Sequence, residues 1–232
     1  MEIIFTDTLG VNQEYQPIPA SRSIPEWYKE TNSYLENKKE PNGEGGSTGT
    51  IKRCMPVFDA LNSGYLLLTH TDIWVSKKED KEGQVTDWYQ WPSFGAISFH
   101  PVSQALLHPE STGSPVPKWI NPWSIKTPLG YSTLFTAPFH RKNIFTALTG
   151  IVDTDKYDAP VNIIFVLTNP NFEGLVPAGT PIAQVTPFKR NSWEMKIGNQ
   201  KNFQDQNKTT VKLKSKFFDS YKLQFRQTKE YN

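Results

Sequence analysis

The spacing of proline restricts this chain's fold more than any other feature. Prolines stand at 92, 101, 109, 115, 117, 122, 128 and 138, so the middle of the sequence is interrupted every few residues. Proline lacks a backbone N–H and clashes with the preceding helical turn, which excludes a helical core there. It is compatible with turns and edge strands. Short β-branched or aromatic runs lie between and around these prolines, over 51–57, 65–70, 72–76, 85–91, 96–100, 118–125, 132–137, 145–152, 161–167 and 182–187. A charged stretch at 77–84 reads as a hairpin tip. Short strands at this spacing, with no long helical periodicity between them, predict a mainly β fold of the sandwich or barrel kind.

The two ends read differently. Residues 2–5 fit a short strand. Ser23, Pro25 and Glu26 fit a helix start, with Trp27, Thr31, Tyr34 and Leu35 on one side of a short helix over 26–36. Residues 38–49 have loop composition. Near the other end, Phe217, Tyr221 and Phe225 recur at helical spacing with Phe218 beside them, while Val211, Leu213 and Ser215 alternate as in a strand. The expected organisation is an N-terminal extension at 1–49, an all-β domain at 50–190 and a basic, aromatic tail at 191–232.

Charge narrows the partners. The chain carries a net +2 overall, but its last 32 residues hold eight Lys or Arg against three Asp or Glu. The +5 at that end leaves −3 on the first 200 residues. A total of +2 does not mark a nucleic-acid binder, whereas the basic tail could contact a protein or nucleic acid. The single Cys54 excludes an internal disulfide framework and a thiolate-rich zinc site. No apolar run approaches the ~18 residues of a membrane span. The first ten residues lack a signal-peptide pattern, so a cytoplasmic location is expected. His100 and His108 lack ligand spacing and read as structural. The seven Trp fit a core or interface at least as well as a base-binding surface. The sequence contains no P-loop, dinucleotide fingerprint or nucleophile elbow.

The most informative stretch is 150–189. Gly150-Ile151-Val152-Asp153-Thr154-Asp155, then Lys156 and Tyr157, precede an apolar run and the turn Gly179-Thr180-Pro181-Ile182-Ala183-Gln184. Read locally, Asp153 and Asp155 cap a turn. The order also resembles the dUTPase and dCTP deaminase superfamily, whose β-clip fold carries a G-[IV]-[IV]-D-x-D-Y-x-G element and a later G-D-x-I-A-Q turn. Weaker echoes are 55–67, similar to that family's opening element, and 127–132, similar to its serine-containing phosphate loop. The resemblance implies a homotrimer with sites completed at subunit boundaries and Mg²⁺ on a nucleoside triphosphate. It further implies Asp153 as the water-activating carboxylate and Tyr157 stacked on the deoxyribose. Ser132 and Asp155 would bind substrate, and Gln184 would contact an adjoining subunit's site or hold its own turn. The chain departs from the pattern at Leu66, where the family has an aspartate, and at Thr180, where it has an acid. Lys156 is an insertion, and the basic tail replaces a Gly-rich arm. These departures favour a divergent relative acting as a binding or assembly module. The alternative is a nucleotide pyrophosphatase or deaminase-related enzyme using Asp153.

A separate pattern is His70-Thr71-Asp72 with the distant His140. It resembles the two-His, one-carboxylate set that holds Fe(II) in 2-oxoglutarate oxygenases. If 70–72 were a strand, alternation would put His70 and Asp72 on one face.

Overall fold

The computed structural model describes residues 1–10, 13–37, 48–79, 81, 83–92, 95–105, 108–109, 114–198, 200–215 and 220–232. The chain is mainly β, as the proline-punctuated runs predict, and the paired strands run antiparallel. In order the strands are β1 (Ile4–Asp7), β2 (Ile18–Pro19), β3 (Tyr65–Leu68), β4 (Ile73–Glu79), β5 (Val85–Gln90), β6 (Ile97–His100) and β7 (Val116–Trp119). They continue with β8 (Trp123–Lys126), β9 (Tyr131–Thr136), β10 (Phe145–Ala147), β11 (Gly150–Val152), β12 (Ile163–Leu167), β13 (Gly174–Val176) and β14 (Pro181–Lys189).

Contacts group the chain into two compact units. The first, Met1–Ala20 with Gly64–Arg190, holds every strand named above. Its largest sheet has the order β11-β9-β14-β3-β2, beside β10-β12-β7-β6, β13-β4-β5 and the pair β1-β8. The long strand β14 is its spine, pairing with β9 from Gln184↔Thr136 to Lys189↔Tyr131 and with β3 on its other side. Close approach there requires Gly64. Its φ is +66°, and a Cβ would stand 2.0 Å from the Val185 carbonyl oxygen. The core beneath is aromatic and branched-aliphatic: Trp119, Phe165, Leu67, Ile73, Ile182 and Val185 are fully buried, and the Phe145 and Phe165 rings stand 4.5 Å apart. Each such side chain contributes roughly 1.5–3 kcal/mol by leaving water.

The second unit, Ser21–Ser63 with Asn191–Asn232, carries the helices α1 (Glu26–Glu30) and α2 (Met55–Asn62). A short helix α3 (Val102–Ala105) belongs to the first unit, while α4 (Gln200–Ser215) and α5 (Ser220–Gln224) belong to the second. Here Asp59 on α2 accepts from Arg226 Nε at 3.0 Å and Nη2 at 2.8 Å, and from Lys229 Nζ at 2.9 Å. Burial pushes the Asp59 carboxyl up, but the Arg226 and Lys229 hydrogen bonds outweigh it and hold it below its ordinary value.

Several local expectations differ from the structure. The helix expected over 26–36 ends at Glu30, and its cap is Pro25 rather than Ser23, with no side-chain capping bond. Residues 51–57 are not a strand. Thr50 Oγ1 accepts from Lys52 N at 3.3 Å to start a helical turn, and Pro56 sits in the first turn of α2, where its missing N–H costs nothing. The run 118–125 is broken by Asn121, whose side chain accepts from Trp123 N and donates to Trp123 O, and by Pro122. The run 145–152 divides into β10 and β11. Residues 211–215 lie within α4, so their alternation marks no strand. Residues 38–47 of the expected loop, and Phe217 and Phe218 of the expected tail helix, lie outside the described residues.

Candidate functional site

Three strand ends meet in the main sheet. β9 pairs with β11 on one side and β14 on the other, so Tyr131 and Ser132 begin where β11 and β14 finish. Beyond β11 the chain turns through Asp153, whose carbonyl accepts from Lys156 N and Tyr157 N, both at 2.9 Å. Thr154 points inward and is buried. Its hydroxyl lies 2.8 Å from those of Thr127 and Thr133. With Thr154 anchored inward, the two flanking carboxylates are free to engage the strand ends.

Beyond β14 stands Arg190, whose N–H donates to Gly130 O at 2.8 Å. Its guanidinium forms a fork on Asp155: Nη1 donates to Oδ1 at 2.8 Å, and Nη2 donates to Oδ2. Gly130 N also donates to Asp155 Oδ2 at 2.8 Å. The Asp155 side chain is fully buried, while the Arg190 side chain that caps it keeps 31% of its surface exposed. Asp153 Oδ1 accepts from Ser132 Oγ at 2.6 Å and lies 3.0 Å from Arg190 Nη1, yet its side chain remains 58% exposed. Arg190 completes its set with Tyr131 O and Ser132 Oγ, each at 3.2 Å.

The electrostatics follow from these contacts. The Arg190 hydrogen bonds hold the Asp155 carboxyl well below the usual carboxylate range. The Ser132 hydroxyl, then Arg190, lower that of Asp153. Arg190 is raised in turn, first by Asp155. Both carboxylates are therefore ionised at neutral pH and share one cation of the same chain, which compensates one of the two negative charges. A general base works best with a pKa near the operating pH. Asp153 is displaced away from it.

The structure thus brings Ser132, Asp153 and Asp155 together. Tyr157 follows in the same turn and is 47% exposed. Gln184 is fully buried in β14, where its Oε1 accepts from Phe139 N at 3.0 Å, a contact within its own chain. Leu66, where the resembled family has an acid, is fully buried in a small cluster with Ala20 and Leu68. The sequence reading missed Arg190, which lies 35 residues from Asp155 in no motif; its one signal is its place just after the last long strand run.

The iron-ligand expectation is not met. Among the described residues no group of three or more His, Cys, Asp or Glu is arranged to hold a metal ion, and His70, Asp72 and His140 form no such set. Residues 69–72 turn between β3 and β4, so strand alternation does not reach them. Asp72 Oδ1 accepts from Ala178 N at 2.8 Å, and the His70 ring lies 5.9 Å from that of Trp119. Among the described residues no helix is long and apolar enough to cross a membrane.

No protein-family model matches this sequence. Nor does any curated protein. Among solved structures, the chain is similar to a point mutant of the dUTPase of Staphylococcus bacteriophage 80alpha with dUpNHpp. The identity is 14%, the alignment covers 60% of this chain and 76% of that one, and the TM-score is 0.30.

Proposed function

We propose that this chain is a divergent dUTPase-like β-clip protein that lacks the full hydrolytic set and serves as a binding or assembly module. The observation that carries this reading is the Arg190 fork. A cation of the same chain occupies Asp155 and touches Asp153, the carboxylates that by the resemblance would bind substrate and activate water. The buried Leu66 supports it further, because an apolar side chain replaces an acid. The exposed flank of Asp153, with Tyr157 beside it, would be the binding surface, and assembly would follow the homotrimeric pattern that the sequence resemblance implies. The tail at 191–232 would supply a protein or nucleic-acid contact, although Arg226 and Lys229 are already held by Asp59.

The test is incubation of the full chain with dUTP, dCTP and Mg²⁺ while pyrophosphate and ammonia are followed. No turnover is expected. Turnover abolished by Asp153→Ala would overturn the proposal in favour of an active enzyme. Sedimentation of the same sample is expected to show a trimer or larger form, and a plain monomer would remove the assembly part.

A further inference from the structure

A second candidate site lies in the β unit, built from other residues. β5 is one outer strand of β13-β4-β5, and β6 is one outer strand of β10-β12-β7-β6. Residues of both edges line a cavity of about 360 Å³. Its walls are apolar. Tyr89 of β5 and Phe99 of β6 place their rings 6.0 Å apart at 51°, Pro117 pairs directly opposite Phe99, and Leu167 contributes from β12. Phe99 keeps 44% of its surface exposed, although it is a large aromatic residue.

The polar lining consists of Thr86, Asp87, Tyr89 and Ser114, of which Asp87 alone is charged. Alternation along β5 puts Asp87 and Tyr89 on one face and Trp88 on the other. Asp87 is cross-strand from Lys77 and ion-paired with it, and Lys77 also donates to Pro170 O. Lys78 is not a lining residue, and its Nζ lies 4.1 Å from the ring centroid of Trp88, which is one. No Lys, Arg or His is among the described residues that line the cavity. A phosphate or carboxylate ligand would therefore meet a carboxylate and no free cation. A carboxylate has about four lone-pair sites, so Asp87 can accept a further donor beside Lys77. Burial, then the Asp87 charge, raises the Tyr89 hydroxyl above its ordinary pKa, so it stays protonated. The volume falls near the lower end of small-molecule sites, roughly 300–1,000 Å³.

We propose that this cavity binds a small, neutral, planar heterocycle whose ring packs on Phe99 and whose N–H donates to the Asp87 carboxylate. The proposal is independent of the Arg190 cluster and of any activity there.

The test titrates the full chain with adenine, cytosine and indole by calorimetry or saturation-transfer NMR, with benzoate as the anionic control. At least one neutral ring is expected to bind, and benzoate is expected not to. Phe99→Ala should weaken binding by about tenfold or more, the scale of a lost ring-stacking contact. Phe99→Leu, which keeps apolar bulk on the edge strand, should weaken it as well, and circular dichroism would verify that both variants fold. Asp87→Asn should weaken N–H donors selectively. Three results would each overturn the proposal: no neutral ring binding at millimolar concentration, equal affinity in the folded Phe99 variants, or tighter binding of a proline-rich peptide than of any ring.

Discussion

Arg190 decides what the two aspartates can do. An isolated carboxylate with no exposed surface would be strongly disfavoured, and Asp155 is tolerated because a guanidinium and a backbone N–H satisfy both its oxygens. Removing the acid should therefore act on stability and on its pH dependence together. The folded pKa of Asp155 is depressed below the unfolded value of about 3.9. Its contribution is fully present above about pH 4 and is lost as pH falls from there through the folded value. Asp155→Asn should lower Tm at pH 7 by several degrees, because the amide cannot accept on both sides. Below about pH 4 the variant should lose stability less steeply than the parent. Thermal melts between pH 2.5 and 7 measure both effects, and an unchanged acid slope would show that Asp155 is not the titrating group.

At the scale of elements, β14 and its neighbours depend on one close approach. Gly64 precedes β3 with a positive φ, and Val185 of β14 occupies the space that a side chain would need. Gly64→Ala should cost at least about 1–3 kcal/mol from the backbone strain alone. The 2.0 Å contact adds to that unless β3 shifts off β14, and urea denaturation would measure the total. The strands of the β unit were largely legible in the sequence, because β-branched and aromatic runs between prolines have few other uses. Local competition hid the rest. A short apolar run such as 51–57 fits helix or strand equally, and Thr50 with Pro56 tipped it to helix. The alternation of Val211 and Leu213 was real but gave way to the continuous helix of α4. The cluster of Ser132, Asp153 and Asp155 was foreshadowed by a motif, whereas Arg190 depends on β9 pairing with both β11 and β14, which no local spacing encodes. His70 and Asp72 show the converse. A spacing suited to a strand does not set two side chains on one face when the chain turns there.

Over the whole molecule, charge and contacts divide along the same line. The basic end of the sequence belongs to the second unit, and its own anion, Asp59, takes up Arg226 and Lys229. Asp59 is nearly buried, with its side chain 12% exposed, so it anchors residues 226–229 to α2 by more than a solvent-screened surface pair would. The Arg226 guanidinium also lies 5.4 Å from the Phe58 ring centroid, which ties the same residue to α2 a second time. The β unit draws on a different cluster, Asp153 and Asp155 with Arg190, and the described residues of its main core all belong to it. Loss of the Asp59 charge should therefore be felt locally. In Asp59→Asn, amide exchange should rise at least tenfold over 220–232 and along α2, because this anchor holds the last residues down against fraying. Exchange in β3, β9 and β14 should stay at the level of the parent protein. Hydrogen–deuterium exchange read by mass spectrometry separates the two regions. An equal rise in both would mean that the two units open as one cooperative body, and that the charge division does not mark a division in stability.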